Sequence, residues 1–180
     1  MTEDRLLIRR MQRGDEGALR CIYERYKDDL VTVAACLLAD PSAAEDVLHD
    51  VFVDFAAGID RFRLRRNLRG YLVTCVANRA RDRLRSASRR DVPLAATHDT
   101  AGDVPSPAVQ VADCEETDAL YRALTELPAE QREAITLHVH GEMRFRQIAQ
   151  ELGVSINTVQ SRYRYGLEKL RSLMKAGVSS

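Results

Sequence analysis

The stretch FRQIAQELGVSINTV, residues 145–159, decides the reading of this chain. Ile148 and Leu152 recur at helical spacing, Gly153 interrupts the pattern, and Val159 resumes it. A tight turn between two helices needs a residue that accepts positive φ, and Gly153 stands where that residue is required. Ser155 can cap the second helix through its hydroxyl. Ala149 is small enough for the second helix to pack closely over it, and Ile148, Leu152, Val154 and Val159 supply a shared core. The stretch is predicted to be a helix-turn-helix.

The faces of the second helix differ. From Ser155 onward, Ile156, Val159, Tyr163, Leu167 and Leu170 share one side. The other side carries Asn157, Gln160, Ser161 and Arg164, flanked by Thr158, Arg162 and Tyr165. Such a division suits a helix held by its apolar side while amide, hydroxyl and guanidinium groups meet base edges in the major groove. Gln can pair with adenine and Arg with guanine, each worth roughly 1–3 kcal/mol of discrimination. The competing reading is an ordinary amphipathic helix with a solvated face, and the complete turn signature weighs against it.

Upstream, Pro128 sits at a helix start, where its missing N–H costs nothing, and Gly141 ends the helix beyond Val139. Between Arg90 and about Glu115 the composition changes: three of the five prolines (Pro93, Pro105, Pro107) fall there, and no aromatic occurs between Tyr71 and Tyr121. That composition predicts a flexible acidic linker. Ahead of it, Leu19, Ile22, Tyr23, Tyr26, Leu30, Val33 and Leu37 mark the buried stripe of a long helix, which Asp40-Pro41-Ser42 breaks. Ser42 with Glu45 reads as a capping box opening a second helix to about Ala57. A third runs from about Leu68 to Ser88, with Leu72, Val76, Arg79 or Ala80, and Leu84 inward. No run alternates long enough for a strand. The expected fold is all-α: two small helical domains, 1–91 and 117–180, joined by the linker 92–116, with the second domain carrying the helix-turn-helix.

The chain has 180 residues, 45% apolar and 30% charged, which excludes a wholly disordered polymer. Its longest purely apolar stretch, residues 33–39, is far short of the roughly 20 needed to cross a bilayer. The charged N-terminus leads into no signal-peptide core, so no membrane insertion and a cytoplasmic location are expected. Cys21, Cys36, Cys75 and Cys114 form no C-x-x-C pair and read as buried thiols.

The 27 basic and 27 acidic side chains cancel, but they are segregated. Residues 40–60 hold six acids and no Lys or Arg, and residues 61–90 hold eleven arginines against Asp82 alone. Residues 97–119 carry six acids and no Lys or Arg, and residues 142–175 seven bases against three acids. Such blocks suggest several charged faces with different partners. The arginines, with Arg79, Arg83 and Arg90 at helical spacing beside Asn78, and with Arg81 and Arg85 on neighbouring faces, would repel one another unless a polyanion were near. Phe62 and Tyr71 flank them and could stack on exposed bases. Asp46, Asp50 and Asp54 recur every four residues, with His49 among them, above Val47, Val51, Phe52 and Phe55; a protein-docking face is the favoured reading. Carboxylate–histidine spacing of this kind also occurs in bundle metal sites, but those need a second ligand helix. No nucleophile–base pair and no phosphate-cradling glycine loop is present, so neither a catalytic residue nor a cofactor or metal is expected.

In this order the parts resemble the extracytoplasmic-function sigma factors of bacterial RNA polymerase. The resemblance rests on Gly14-Asp15-Glu16-Gly17-Ala18-Leu19 with Tyr23 and Tyr26, and on Ala44-Glu45-Asp46-Val47-Leu48-His49-Asp50-Val51-Phe52. Leu68-Arg69-Gly70-Tyr71-Leu72 with Ala77-Asn78-Arg79 follows, then Leu127-Pro128, Gln131-Arg132-Glu133, and Thr158-Val159-Gln160-Ser161-Arg162. The resemblance implies a non-catalytic polymerase subunit whose partners are core RNA polymerase, promoter DNA and an anti-sigma factor. By it, Asp46, His49, Asp50, Phe52 and Val53 bind polymerase. Phe62, Tyr71, Asn78, Arg79, Arg83 and Arg85 hold the minus-ten element. Arg144, Asn157, Thr158, Gln160, Ser161, Arg162, Arg164 and Tyr165 read the minus-thirty-five element.

Departures from the family pattern are His49 for a common Gln, Phe55 for Trp, Arg144 for a Ser or Thr cap, Gln160 for Lys or Arg, and Tyr165-Gly166 for Arg-Ala. The sequence leaves two other functions open: a free-standing helix-turn-helix regulator, and a sigma-like decoy that titrates an anti-sigma protein.

Overall fold

The computed structural model describes residues 3–64, 67–90 and 114–177. Eight α-helices make up the described residues: α1 (Glu3–Met11), α2 (Glu16–Leu38), α3 (Pro41–Ala57), α4 (Leu68–Arg90), α5 (Cys114–Thr125), α6 (Ala129–Val139), α7 (Phe145–Leu152) and α8 (Ile156–Gly177). A 3₁₀ turn, Ile59–Arg61, follows α3, and no strand occurs among the described residues. Most of the expected linker lies outside the described residues; α5 takes in its last three positions, from Cys114.

Helix α2 is the axis of the N-terminal half. Ile22, Leu30 and Val33 are wholly buried along one stripe, with Val47 of α3 and Leu72, Val73 and Val76 of α4 against it. Burying a side chain of this size contributes about 1.5–3 kcal/mol, so this stripe is the main force assembling the first three-helix layer. The helix ends where Ala39 enters the left-handed region at φ 58°, its N–H bonding to the Ala35 carbonyl at 2.7 Å. Contrary to the Ser42 reading, the cap of α3 is Asp40, whose carboxylate accepts from the Ala43 N–H at 3.0 Å. Pro41 fixes the first helical residue and thereby moves the cap upstream. On the inner side of α4 the choice falls on Ala80, which is buried, rather than Arg79.

Helix α1 is not marked by the sequence pattern. It lays Leu7, Ile8 and Met11 into the core, and its acids are bound to α2: Asp4 accepts from the Tyr26 hydroxyl at 2.9 Å, and Arg25 pairs with Glu3 and Asp4. From the end of α1, Gln12 Nε2 donates to the carbonyls of both Ile59 and Phe62 at 3.0 Å, fixing the segment that leads toward α4.

The C-terminal half forms the expected helix-turn-helix. Gly153 adopts φ 66°, Ser155 Oγ accepts from the Thr158 N–H at 3.0 Å, and Ile148 and Val159 are wholly buried. Ile156, expected on the inner side of α8, is instead 41% exposed at the first helical position. The two halves pack on each other, chiefly α6 against α2, and their buried residues form one core. Arg69 of α4 crosses the seam: it donates to the carbonyls of His140 at 2.8 Å and Gly141 at 3.0 Å, and pairs with Asp29 at 2.9 Å. Arg81 crosses it too, reaching Glu133 of α6 at 2.9 Å.

Candidate nucleic-acid interface

Helices α3 and α4 run antiparallel with their charges in register. Arg83 pairs with Asp46 at 2.9 Å; Arg79 pairs with Asp54 and lies 3.9 Å from Asp50. Arg81 turns the other way, to Glu133 and to Asn78 Oδ1 at 2.7 Å, and Arg85 meets Asp82 at 3.8 Å. For Arg79, Arg81, Arg83 and Arg85 this corrects the expectation that an external polyanion is needed, because carboxylates from α3, α6 and α4 itself already face them; the Arg90 side chain lies outside what the structure describes. It also merges two surfaces read as separate: the acidic ridge and the basic helix form one mixed patch.

Of the residues assigned to polymerase docking, Asp46, His49, Asp50 and Val53 are exposed. Phe52 is not. It is buried, edge-on to Tyr23 of α2 with ring centroids 5.0 Å apart, so it supports the ridge instead of forming its surface.

At the start of α4, Phe62, Phe55 and Tyr71 form an aromatic cluster, Phe62 lying 5.2 Å from Phe55 and 4.8 Å from Tyr71. Tyr71 is 40% exposed, whereas Phe62 is half-buried and committed to its neighbours. Burial, with the neighbouring Cys75 second, pushes the Tyr71 phenol up to about 12, so it stays a neutral, stackable ring at physiological pH. A cleft of about 480 Å³ runs from Phe62, Asn67 and Tyr71 to Met143, Gln147 and Gln150 of the other half.

On α8, Asn157, Gln160, Arg164 and Tyr165 are exposed together, with Ser161 half-buried between them. Arg164 lies 4.9 Å over the Tyr165 ring and donates to its hydroxyl at 3.2 Å, making one paired group. Thr158 has its hydroxyl against Ser155 at 2.8 Å, so it serves the cap. Arg162 is turned away from this face and lines a second cleft with Arg81, Leu84 and Arg85 of α4. Arg144 precedes α7 and is exposed; a guanidinium carries no acceptor atom and cannot cap the helix, and Gln147 Oε1 takes the Arg144 N–H at 2.9 Å instead. Behind the turn, His138 stacks on Phe145 at 4.2 Å and meets Tyr163 edge-on at 4.9 Å. Its Nδ1 donates to the Met143 carbonyl at 2.8 Å, tying α6, the turn and α8 together. Among the described residues no group of three His, Cys, Asp or Glu could hold a metal ion, and no helix is long and apolar enough to cross a membrane.

Residues 22–90 match the family model for sigma-70 region 2, and residues 117–170 the model for sigma-70, region 4. The chain belongs to the extracytoplasmic-function sigma factors. Among its relatives, the ECF RNA polymerase sigma factor SigW of Bacillus subtilis is 25% identical over 177 residues, 93% of this chain and 95% of that protein. The SigK sigma factor of Mycobacterium ulcerans is 25% identical over 175 residues, 94% of this chain and 92% of that one. Two solved structures share the fold. The sigma factor RpoE of Bartonella quintana, in complex with the anti-sigma factor NepR, superposes with a TM-score of 0.70 at 24% identity, over 87% of this chain and 96% of that one. CnrH in complex with the cytosolic domain of CnrY gives 0.63 at 24% identity, over 96% and 97%.

One departure of this sigma factor from the family pattern now has a cause. A Cβ at Gly166 would lie 2.8 Å from Ile135 Cδ1 and 3.1 Å from Gln131 Cβ, so glycine is what lets α8 approach α6 so closely. The sequence pattern places Asp54 in the docking face and Glu133 in the family motif without giving either as a counter-charge to arginine, and it does not single out the bracing Gln12; these roles depend on which helices meet, a relation that spacing along one helix does not carry.

Proposed function

We propose that this sigma factor binds core RNA polymerase through the exposed ridge of α3, with Asp46, His49, Asp50 and Val53 as its contacts, and directs initiation at promoters. Region 2, taken as residues 1–91, engages the minus-ten element through Tyr71, Phe62, Asn78 and the arginines Arg79, Arg83 and Arg85 of α4. Region 4, residues 117–180, reads the minus-thirty-five element through Asn157, Gln160, Ser161, Arg164 and Tyr165, with Arg144 at the groove edge. Arg162 and Thr158 support that helix. The protein acts without catalysis of its own, in the cytoplasm, and an anti-sigma factor is its inhibitory partner, a reading supported by the complex of the sigma factor RpoE with the anti-sigma factor NepR, whose fold it shares.

The observation that carries this reading is the pair of sigma-70 regions, in order in one chain, with α8 presenting amide and guanidinium groups to solvent. Run-off transcription with purified core polymerase and a promoter library tests it. Selected start sites with shared upstream sequence are expected, lost on Asp50→Arg. Failure of the full chain both to join core polymerase and to select start sites overturns it. Binding to an anti-sigma protein without transcription would make it a decoy instead.

A further inference from the structure

The turn that joins α1 to α2 is built to hold one side chain still. Gly14 takes φ 83°, a backbone region that glycine enters at little cost, and the chain folds back so that the Asp15 N–H reaches the Arg10 carbonyl at 3.1 Å. Arg10 Nε closes the same turn on Asp15 Oδ2 at 2.8 Å. Gln12 lies inside this loop and donates its own N–H to the Ile8 carbonyl at 3.0 Å, so it rides on the last turn of α1. Its half-buried amide crosses to residues 47 and 50 positions away: Nε2 donates to the carbonyls of Ile59 and Phe62, each at 3.0 Å.

A primary amide nitrogen carries two N–H groups, and here each has its own carbonyl, so the side chain straddles the 3₁₀ turn Ile59–Arg61. The Ile59 carbonyl accepts from the Phe62 N–H as well, at 3.1 Å, and the Phe62 carbonyl also accepts from Arg63 Nη1 at 3.0 Å. The exposed Arg63 guanidinium and the Phe62 ring, 4.8 Å from Tyr71, are therefore placed from the same two oxygens. We propose that Gln12 is a positioning residue for promoter recognition: its amide braces the 59–62 turn that sets Phe62 and Arg63 beside Tyr71, where the minus-ten strand is read. This rests on the functional reading above and deepens it, adding a residue of α1 that acts through Phe62 and Arg63. The brace keeps the segment in one conformation before DNA arrives. Where only a fraction of molecules holds the competent form, apparent affinity falls by that fraction. Other conformations of the segment offer Phe62 and Arg63 in the wrong places, which costs base preference as well. Polymerase docking on α3 and reading by α8 do not pass through these oxygens.

Gln12→Met keeps the length of the side chain without a donor, and Gln12→Glu keeps its shape but offers the two carbonyls only acceptors. Ile8→Val trims the buried face of α1 and leaves both bonds in place. Each full-length variant is assembled with core RNA polymerase and given promoter duplexes randomised over the minus-ten element, with the minus-thirty-five sequence that the parent selects held fixed. Amide hydrogen exchange of the free chain reports on residues 59–64. Both Gln12 variants should exchange faster there and form open complexes about three- to tenfold more slowly, with a flatter minus-ten preference and an unchanged affinity for core polymerase. Ile8→Val should match the parent in exchange at 59–64 and in base preference. Unchanged exchange in both Gln12 variants removes the brace. Faster exchange with unchanged minus-ten selection confines Gln12 to stability, and an equal effect of Ile8→Val assigns the loss to α1 packing; each of the three overturns the proposal. A parent chain that selects no start site overturns the functional reading and the role of Gln12 in it, whatever the exchange shows.

Discussion

Arg69, in the first turn of α4, donates its Nη2 to the carbonyl of His140 at 2.8 Å, beyond the last residue of α6. The carbonyl end of a helix carries partial negative charge and lacks intrahelical partners, so a guanidinium satisfies it twice over, here through His140 and Gly141. Asp29 and Glu142 flank the same guanidinium at 2.9 and 3.3 Å. Arg69 thereby ties region 4 to region 2 beside the Arg81–Glu133 pair and the apolar seam. Arg69→Ala should cost about 1–3 kcal/mol of that closure. Small-angle scattering or a fluorescence distance between the regions would register expansion in the variant; identical profiles would show that the apolar seam suffices alone.

Gly141 makes the closure sterically possible. Its φ is not left-handed, so the requirement is space: a Cβ there would lie 2.5 Å from the Leu137 carbonyl oxygen and 3.0 Å from Val73 Cγ1 of α4. Backbone on one side cannot yield cheaply. Gly141→Ala is expected to destabilise by about 1–3 kcal/mol, lowering the thermal midpoint by several degrees. In Gly153→Ala the cost has another origin, since a Cβ there meets nothing within 4 Å and only the positive φ of 66° penalises it. Pairing Gly141→Ala with Val73→Ala divides the loss at Gly141 between its two contacts: the double variant should cost less than the sum of the single ones, whereas strict additivity would assign the loss to the Leu137 carbonyl.

Acid should loosen the same seam. Burial holds the His140 imidazole below its ordinary value of 6.5, with the Asp29 carboxylate opposing it. A histidine whose folded-state value is depressed contributes stability fully above the unfolded value. It loses that contribution as pH falls from 6.5 through the folded value. The thermal midpoint should therefore drop between about pH 7.5 and pH 5.5, and His140→Asn should flatten the drop. An unchanged slope in the variant would assign the pH dependence elsewhere.

The legible parts of this chain were those that one helix states by itself. The stripe of α2 and the turn at Gly153–Ser155 follow from periodicity and from residues with a single conformational purpose. Helix α1 was obscured because Arg5, Arg9 and Arg10 dilute a stripe of only three buried residues, Leu7, Ile8 and Met11. The α3 cap was misplaced by two positions because Asp40 and Ser42 are both competent caps, and Pro41 decides between them only through its backbone. Phe52 is counted among the polymerase contacts by the family resemblance alone; helical spacing sets it beneath or beside the acids, and Tyr23, which covers it, lies on another helix. The Asp–Arg register between α3 and α4 needs their antiparallel alignment, and neither sequence contains that alone.

On α8 the distinction between reading and support residues gives the sharpest prediction. Arg164 is stacked over Tyr165 and bonded to its hydroxyl, so under the proposed reading of the minus-thirty-five element its guanidinium is oriented before it meets DNA. Arg164→Ala should lose about 1–3 kcal/mol of discrimination at one base pair and relax the preference there, with other positions unchanged. Tyr165→Phe keeps the ring beneath the guanidinium and removes only the hydroxyl, so its loss should be the smaller. Arg162→Ala, on the side turned toward α4, should leave base preference intact. Binding selection on randomised minus-thirty-five duplexes reads all three. If Arg162→Ala altered the selected sequence as strongly as Arg164→Ala, α8 would have to present a different face to the groove from the one exposed here, and the mixed cleft with Arg81 and Arg85 would then be part of the DNA path.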